Sequence, residues 1–341
     1  MSAQRIEGLD LDALERWFAE HVEGFAGQLD AELVSGGKSN LTYRLTDGRS
    51  SWVLRRPPLG MLTPSAHDMA REYRVVAALH GTPVPVARPV GLLDPSVTGV
   101  QCAIVEFVPG AVLRTEDDLA PYTDEQVRAC AMALVDTLAA LHAIDPAEVG
   151  LAEFGKPAGY LARQIRRWYG QWERVRTRHL PDLEALHTEL QERCPAESGA
   201  AIVHGDFRID NTIVDPDDPA VVRAVVDWEM ATLGDPLADL AMHVVYSDPA
   251  FSSVLGGSAA STSPRMPDRR EIVERYRAAS GRDVGEMSFH LGLAYFKLAV
   301  IAEGIHRRYV DGDTRGEGFA TVGEAPPPLA AAGRKVLGGG W

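Results

Sequence analysis

One stretch, residues 202–227, constrains the fold of this 341-residue chain more than any other. A short apolar strand is predicted to deliver Asp206 onto a tight loop after a His-Gly pair. Five residues later, Asn211 stands at the start of a second predicted strand. A proline-rich turn at 215–219 leads into a third apolar strand, which ends at Asp227. The pattern therefore predicts two carboxylates and one carboxamide at the ends of adjacent strands.

Two carboxylates and a carboxamide in this arrangement suit phosphoryl transfer. One carboxylate can orient a hydroxyl nucleophile, whereas the second carboxylate and the amide oxygen can hold Mg²⁺. Mg²⁺ prefers hard oxygen ligands and keeps several of its waters, so one or two protein oxygens are enough. The stretch therefore predicts a kinase-type site, although each polar residue in it also has a plain structural explanation as a turn or loop-end residue.

Motifs of several other enzyme classes are incomplete in this chain. The run Gly37-Lys38-Ser39 looks like the end of a phosphate-binding P-loop, but Glu32 stands where the first glycine belongs. The segment from Ser35 to Lys38 fits the SxxK pattern of penicillin-binding enzymes, yet neither SDN nor KTG follows it. The sequence also lacks GxSxG and HExxH motifs. A P-loop enzyme, a penicillin-binding enzyme, an α/β-hydrolase and a zinc enzyme are all disfavoured.

Strand signals dominate the first third of the chain, and helix signals dominate the rest. Asp47-Gly48 predicts a hairpin turn between two strands. Thr63-Pro64 predicts the start of a helix that Gly81 ends. Long helices rich in alanine, leucine or arginine are predicted after the break at Pro109-Gly110.

These signals divide the chain into two lobes. Residues 1–108 are predicted to form a β-rich N-terminal lobe and residues 109–341 a mainly helical C-terminal lobe, with a hinge at about 106–111. Two stretches show little apolar periodicity and are predicted to be mobile: 247–267, with six serines, and 311–341, with eight glycines.

The acidic composition narrows the range of partners. Lys and Arg number 34 and Asp and Glu 48, so the formal net charge of −14 disfavours a nucleic-acid or anionic membrane partner. Three cysteines without a CxxC pair suit a reducing compartment. The apolar stretches 129–144 and 291–305 carry charges and predict core helices rather than membrane spans. We therefore expect a cytoplasmic protein without a nucleic-acid or membrane partner; the sequence leaves its oligomeric state open.

The polar pattern resembles that of a known family. HGDxxxxN followed by a strand-terminal Asp is the signature of the aminoglycoside phosphotransferase-like kinases, which are small-molecule relatives of the protein kinases. The resemblance covers roughly residues 30–310, and it implies an α+β, two-lobed protein-kinase-like fold. The segments VLRRPP, IVHGDFRIDNTIVD and VVDWEMATLGDPLADLA are most similar to one subgroup, whose members stand alone or are joined to acyl-CoA dehydrogenase domains.

The resemblance also implies roles for individual residues. Asp206 resembles the catalytic base, and Asn211 and Asp227 resemble the Mg²⁺ ligands. The implied nucleotide-binding residues are Ser39 and Asn40 over the phosphates, Arg55 and Glu72 as an ion pair on the phosphates, and Glu106 and Val108 in the adenine-binding hinge. Arg55 departs from the family's usual lysine, and a guanidinium differs from an ammonium in geometry. The chain lacks an APE segment and an activation loop, which disfavours a protein substrate.

The resulting hypothesis is an ATP- and Mg²⁺-dependent kinase that phosphorylates a hydroxyl of a small molecule. A hydroxyacyl-CoA or hydroxy acid is the favoured acceptor, because relatives in the subgroup are joined to acyl-CoA dehydrogenases. One alternative is an aminoglycoside phosphotransferase. The other is a nucleotide-binding module without turnover, in the manner of a pseudokinase. Arg55, in place of the family's usual lysine, is the feature that supports this alternative.

A helix predicted over 159–178 carries six arginines and one acid, which is unexpected in an acidic chain. Its apolar stripe is predicted to face the core and consists of Leu161, Ile165, Trp168 and Trp172. By resemblance the helix borders the acceptor site, and arginine suits phosphates or carboxylates. The predicted acceptor-binding residues are Arg163, Arg166 and Arg167. The alternative is a solvated helix whose arginines pair with surface acids.

Overall fold

The computed structural model describes residues 8–35, 40–59, 68–255, 258–285, 287–313 and 319–340. The strands in these residues are β1 (Asp30–Ser35), β2 (Leu41–Thr46), β3 (Ser51–Arg56), β4 (Pro89–Leu93), β5 (Cys102–Glu106), β6 (Ala201–Val203), β7 (Thr212–Val214), β8 (Val222–Val225) and β9 (Thr232–Gly234). The α-helices are α1 (Leu11–His21), α2 (Met69–Leu79), α3 (Pro95–Thr98), α4 (Glu116–Leu119), α5 (Asp124–Ala143), α6 (Tyr160–Val175), α7 (Pro181–Glu192), α8 (Pro236–Val245), α9 (Ala250–Leu255), α10 (Arg269–Ser280), α11 (Met287–Val310) and α12 (Pro326–Leu337).

The chain divides into two compact units. The first comprises Met1–Pro109 with Arg223–Glu229, and the second comprises Gly110–Val222 with Met230–Trp341. The division at Pro109 falls inside the segment predicted as a hinge. The sequence did not indicate that 223–229 would join the first unit. Hydrogen bonds explain why it does, because the Val225 N–H donates to the Pro85 carbonyl at 2.8 Å.

The first unit is built on a five-stranded sheet in the order β1-β2-β3-β5-β4, and all its pairings are antiparallel. The β2–β3 hairpin turns at Asp47-Gly48, as predicted. The Asp47 carboxylate accepts hydrogen bonds from the N–H groups of Arg49 and Ser50, and Gly48 adopts a φ of 81°. Helix α1 buries Leu14 and Phe18 in the same apolar core as strand residues such as Trp52.

Helix α2 places an acidic side chain in this unit's interior. The helix begins at Met69, where the Asp68 carboxylate caps it by accepting from the Arg71 N–H. The predicted start at Thr63-Pro64 lies outside the described residues. The buried face of α2 is otherwise apolar, yet it includes Glu72. A carboxylate at such a position needs a cationic partner or a raised pKa.

Helix α11 is the central helix of the second unit, where it packs against α6, α7, α8 and α12. With 24 residues and a mean hydropathy of 1.2, it is long and apolar enough to cross a membrane. However, 72% of that apolar window is buried inside the protein. This burial is the behaviour of a core helix, as the sequence predicted for 291–305.

The two stretches predicted to be mobile contain regular structure. In 247–267 the chain forms α9 and a 3-10 turn at Ala260–Thr262. In 311–341, α12 packs on α7 and α11, and it buries Leu329, Ala330, Val336 and Leu337. The helical spacing of its apolar residues accounts for this helix despite the glycines of the stretch.

Candidate active site

The buried carboxylate of Asp239 fixes the loop that carries Asp206. Strand β6 is fully buried and leads into His204 and Gly205. The N–H groups of His204 and Gly205 donate to Asp239 of α8 at 2.7 and 2.8 Å, and His142 Nε2 lies 3.3 Å from the same carboxylate. Burial alone would raise the pKa of Asp239, but these hydrogen bonds outweigh it and lower the pKa. The backbone that presents Asp206 is therefore rigidly anchored.

The Asp206 carboxylate is held at both oxygens and still reaches solvent. Its Oδ1 accepts a hydrogen bond from the Tyr246 hydroxyl, and its Oδ2 accepts one from Asn211 Nδ2 at 3.0 Å. Arg208 Nε lies 3.4 Å from Oδ2, and this guanidinium also pairs with Asp210 at 3.1 Å. The Asp206 side chain keeps 27% of its surface exposed. A fixed, accessible carboxylate can accept a hydrogen bond from a substrate hydroxyl.

Asn211 is oriented so that its amide oxygen remains available. It ends a 3-10 turn, Ile209–Asn211, and is buried. Its Nδ2 donates both to the carbonyl of Asp206 at 2.9 Å and to the Oδ2 of that residue. The hydrogen bonds fix the amide and leave Oδ1 as its hard-oxygen ligand atom. An amide oxygen oriented in this way is suited to coordinate Mg²⁺.

In the first unit, a single guanidinium bridges helix α2 and the segment that follows β8. Arg55 of β3 donates to Glu72 through Nη1 and to Asp227 Oδ1 through Nη2, the latter at 3.1 Å. Asp227 has a φ of 66°, which places a residue other than glycine in the left-handed region. Such a conformation costs about 1–3 kcal/mol and is concentrated at functional sites.

Acids outnumber bases around Arg55. The pKa of Glu72 is raised to about 7, mainly by burial; Arg55 opposes the increase, and Asp227 and Glu229 add to it. Burial alone would lower the pKa of Arg55, but the carboxylates of Glu72 and Asp227 outweigh it and raise the pKa. Three acids around one guanidinium leave an excess of negative charge. Asp227, whose side chain is 34% exposed, is the most accessible of the three residues Arg55, Glu72 and Asp227.

No cluster of three or more His, Cys, Asp or Glu side chains that could hold a metal occurs in the described residues. In the second unit, Asn211 offers an amide oxygen, and in the first unit, Asp227 offers a carboxylate oxygen. Both are oxygen atoms of the kind that Mg²⁺ prefers.

The other residues predicted to bind nucleotide lie in different surroundings. Ser39 lies outside the described residues. Asn40 is buried, and its amide nitrogen and oxygen have no partner among the residues described. Glu106 forms an exposed ion pair with Arg88 at 2.8 Å. Val108 follows Phe107, whose N–H donates to the Ser51 carbonyl at 3.0 Å and aligns the segment with β3.

Helix α6 differs in part from its predicted pattern. Leu161, Ile165 and Trp172 are buried as predicted, but Trp168 is only half-buried and lines a pocket. The guanidinium of Arg163 donates to the carbonyls of Lys156 and Ala158, and these contacts favour a structural role. Two other arginines of the helix are exposed, as an anion-binding role requires: Arg166 and Arg167.

Two side chains at this site have no counterpart in the sequence analysis. Tyr246 follows α8 and contacts Asp206, and Lys297 of α11 donates to the carbonyl of Gly205 at 2.8 Å. The available signal for Lys297 was a lone lysine inside an apolar helix. Tyr246 gave no comparable signal.

Comparison with known proteins agrees with this geometry. Residues 30–279 match the profile of the family described as "Phosphotransferase enzyme family". Acyl-CoA dehydrogenase family member 11 from Homo sapiens is 33% identical over 338 residues, which is 96% of this chain and 43% of the relative. The protein of that name from Gallus gallus is 34% identical over 98% of this chain and 44% of its own length. The chain thus spans less than half the length of these curated relatives.

Solved structures give the same result. A protein from Ralstonia eutropha described as a candidate aminoglycoside phosphotransferase superposes with a TM-score of 0.83 at 34% identity, covering 97% of this chain and 98% of its own. Aminoglycoside phosphotransferase APH(4)-Ia, solved with AMP-PNP and hygromycin B, gives a TM-score of 0.61 at 16% identity, covering 96% of this chain and 98% of its own. The second likeness shows the fold alone.

The β-rich first unit and the helical second unit define a kinase-like phosphotransferase fold, and the predicted α+β architecture is confirmed. The chain belongs to the phosphotransferase enzyme family. Its similarity to acyl-CoA dehydrogenase family members also confirms the predicted subgroup.

Proposed function

We propose that this protein is an ATP- and Mg²⁺-dependent phosphotransferase that acts on a hydroxyl of a small molecule, with a hydroxyacyl-CoA or hydroxy acid as the favoured acceptor. The observation that carries the proposal is the Asp206 carboxylate, which Tyr246 and Asn211 hold while it stays accessible. Family membership supports the transfer of a phosphoryl group.

Each site residue has a defined task in this proposal. Asp206 accepts the proton of the acceptor hydroxyl and directs its oxygen at the γ-phosphate. Asn211 and Asp227 keep their predicted roles as Mg²⁺ ligands, and Arg55 contacts the phosphates while Glu72 orients it. Mg²⁺, when bound, neutralises charge on the phosphate oxygens. Most of the rate enhancement then comes from positioning and electrostatics.

The choice of acceptor rests on two supports. The curated relatives are named as acyl-CoA dehydrogenases, which points to acyl-group metabolism by analogy. The exposed guanidinium groups of Arg166 and Arg167 suit an anionic acceptor and oppose a polycationic aminoglycoside. A cytoplasmic location remains a prediction of the sequence.

The test is a coupled assay of ADP release against panels of hydroxyacyl-CoA, hydroxy acid, sugar and aminoglycoside acceptors. We expect acyl acceptors to stimulate Mg²⁺-dependent ADP release. Asp206→Asn should lower kcat by about 10²–10⁴-fold and leave the Kd for MgATP unchanged. Asp217→Asn, at an exposed turn, is the matched control. Turnover with aminoglycosides alone would establish that alternative, and nucleotide binding without turnover on any panel would establish the non-catalytic module.

A further inference from the structure

A partly open pocket lies beside the Asp206 loop, entirely within the second unit. Helices α6, α8 and α11 form its walls, and the loop itself forms one side. Its lining combines apolar side chains with a few polar groups, and the residues that matter here are Trp168, Gly205, Met242, His290, Leu293 and Lys297. An apolar pocket with a few convergent polar groups is the usual form of a small-molecule site.

Lys297 brings an incompletely paired ammonium to this pocket. Its Nζ donates to the Gly205 carbonyl at 2.8 Å and lies 5.5 Å from the centre of the Trp168 ring. An ammonium has three donors, and the Gly205 carbonyl is its one hydrogen-bond acceptor among the described residues. Burial lowers the pKa of Lys297, although the carboxylates of Asp206 and Asp239 oppose the shift. Two donors of this group therefore remain for a ligand.

His290 provides a second polar group at the pocket. It is 5% exposed, and its Nε2 lies 3.6 Å from Asp235 Oδ1, an ion-pair distance at which the imidazole helps to lower the pKa of Asp235. Its Nδ1 has no hydrogen-bond partner among the described residues. Because buried polar groups are rarely left unpaired, this nitrogen is suited to pair with a polar atom of a ligand.

The position of Lys297 links the pocket to the reacting group. The carbonyl that accepts its hydrogen bond belongs to Gly205, which directly precedes Asp206 in the chain. An acceptor oxygen bound at Nζ therefore lies beside the loop that presents the base. The apolar side chains of Met242 and Leu293 suit an aliphatic chain more than a sugar.

We propose that this pocket binds the acyl part of the acceptor: Lys297 donates to its carbonyl or carboxylate oxygen, His290 pairs with a second polar atom, and the apolar wall holds the alkyl chain. This inference rests on the proposed function and deepens it, because it names the residues that select an acyl acceptor. An amine in the same place would face an ammonium.

The experiment measures acceptor binding by isothermal titration without nucleotide, which separates binding from turnover. The probes are β-hydroxyoctanoyl-CoA, β-hydroxyoctanoate and the matching diol with a CH₂OH group in place of the carboxylate. Lys297→Met should weaken binding of the first two by about ten-fold to a hundred-fold, the usual worth of a charge-assisted hydrogen bond. The Kd for the diol and for MgATP should not change. Lys335→Met, an exposed lysine on α12, is the control.

A second variant, His290→Phe, keeps the ring and removes its nitrogens, so it tests the pocket if Lys297→Met fails to fold. It should also weaken acyl binding. Unchanged acyl affinity in either folded variant, or no acyl binding by the unaltered protein, would overturn the inference. Acyl binding that depends on Lys297 without any ADP release would support the pocket and reject the proposed function. Phosphorylation of the acyl acceptor with an unchanged KM for that acceptor in Lys297→Met would support the proposed function and reject the pocket.

Discussion

The hydroxyl of Tyr246 donates a hydrogen bond to Oδ1 of Asp206, and Tyr246 itself is buried against Phe251. Asn211 Nδ2 donates a hydrogen bond to the other carboxylate oxygen, Oδ2. The orientation of the proposed base is thus set by two residues from different elements. Tyr246 is a positioning residue in this arrangement, since it acts on the reaction through Asp206.

Tyr246→Phe should therefore lower kcat and leave the KM for ATP nearly unchanged. The ring still fills its buried space, but the carboxylate loses one of its two fixed donors and samples unproductive rotamers. We expect a decrease of about ten-fold, at the low end of what a misplaced catalytic group costs. Steady-state kinetics with a saturating acceptor measure kcat and the KM for ATP separately. Tyr309→Phe, at an exposed tyrosine on α11, should have no effect. A KM effect alone would show that Tyr246 serves binding instead.

Arg55 and Glu72 should behave as one unit. Their contact is largely buried, and Glu72 Oε2 has no partner among the described residues, so Arg55 is the group that holds this carboxylate. A double-mutant cycle with Arg55→Met and Glu72→Gln should give a coupling energy of about 0.5–3 kcal/mol in kcat/KM. Arg55→Lys should keep the positive charge but lose part of the activity, because an ammonium cannot contact Glu72 and Asp227 in the same fork geometry. Strictly additive losses would reject a shared role.

The ionisation of Glu72 should make the stability of the protein depend on pH. Its pKa is raised from 4.5 to about 7 in the folded protein, mainly by burial. Between these values the folded protein binds a proton that the unfolded chain releases, so the free energy of unfolding should fall as pH rises through the window. Glu72→Gln removes the ionisable carboxyl group and should flatten that part of the pH profile of unfolding free energy. Urea denaturation at steps across the window measures it. An equal slope in both proteins would assign the pH dependence to other groups.

The sequence predicted those parts of the site that depend on local order along the chain. Asp206 and Asn211 are five residues apart, and their contact follows from the short turn that joins them. The Asp47-Gly48 hairpin was likewise predictable from local turn chemistry. Contacts between distant segments were not: Tyr246 lies 40 residues from Asp206, and Lys297 lies 92 residues from Gly205. Only the packing of α8 and α11 on the loop brings those side chains to it.

The strained backbone of Asp227 allows its chemistry to be separated from its cost in stability. Both Asp227→Ala and Asp227→Gly remove the proposed Mg²⁺ ligand and the hydrogen bond from Arg55, so both should lose Mg²⁺-dependent nucleotide binding. Glycine adopts a φ of 66° without steric cost, whereas alanine does not. Asp227→Gly should therefore be more stable than Asp227→Ala by about 1 kcal/mol. Isothermal titration with MgATP and urea denaturation measure the two properties separately. Retained metal-dependent affinity in either variant would reject Asp227 as a ligand, and equal stability of the two would show that the left-handed conformation costs nothing there.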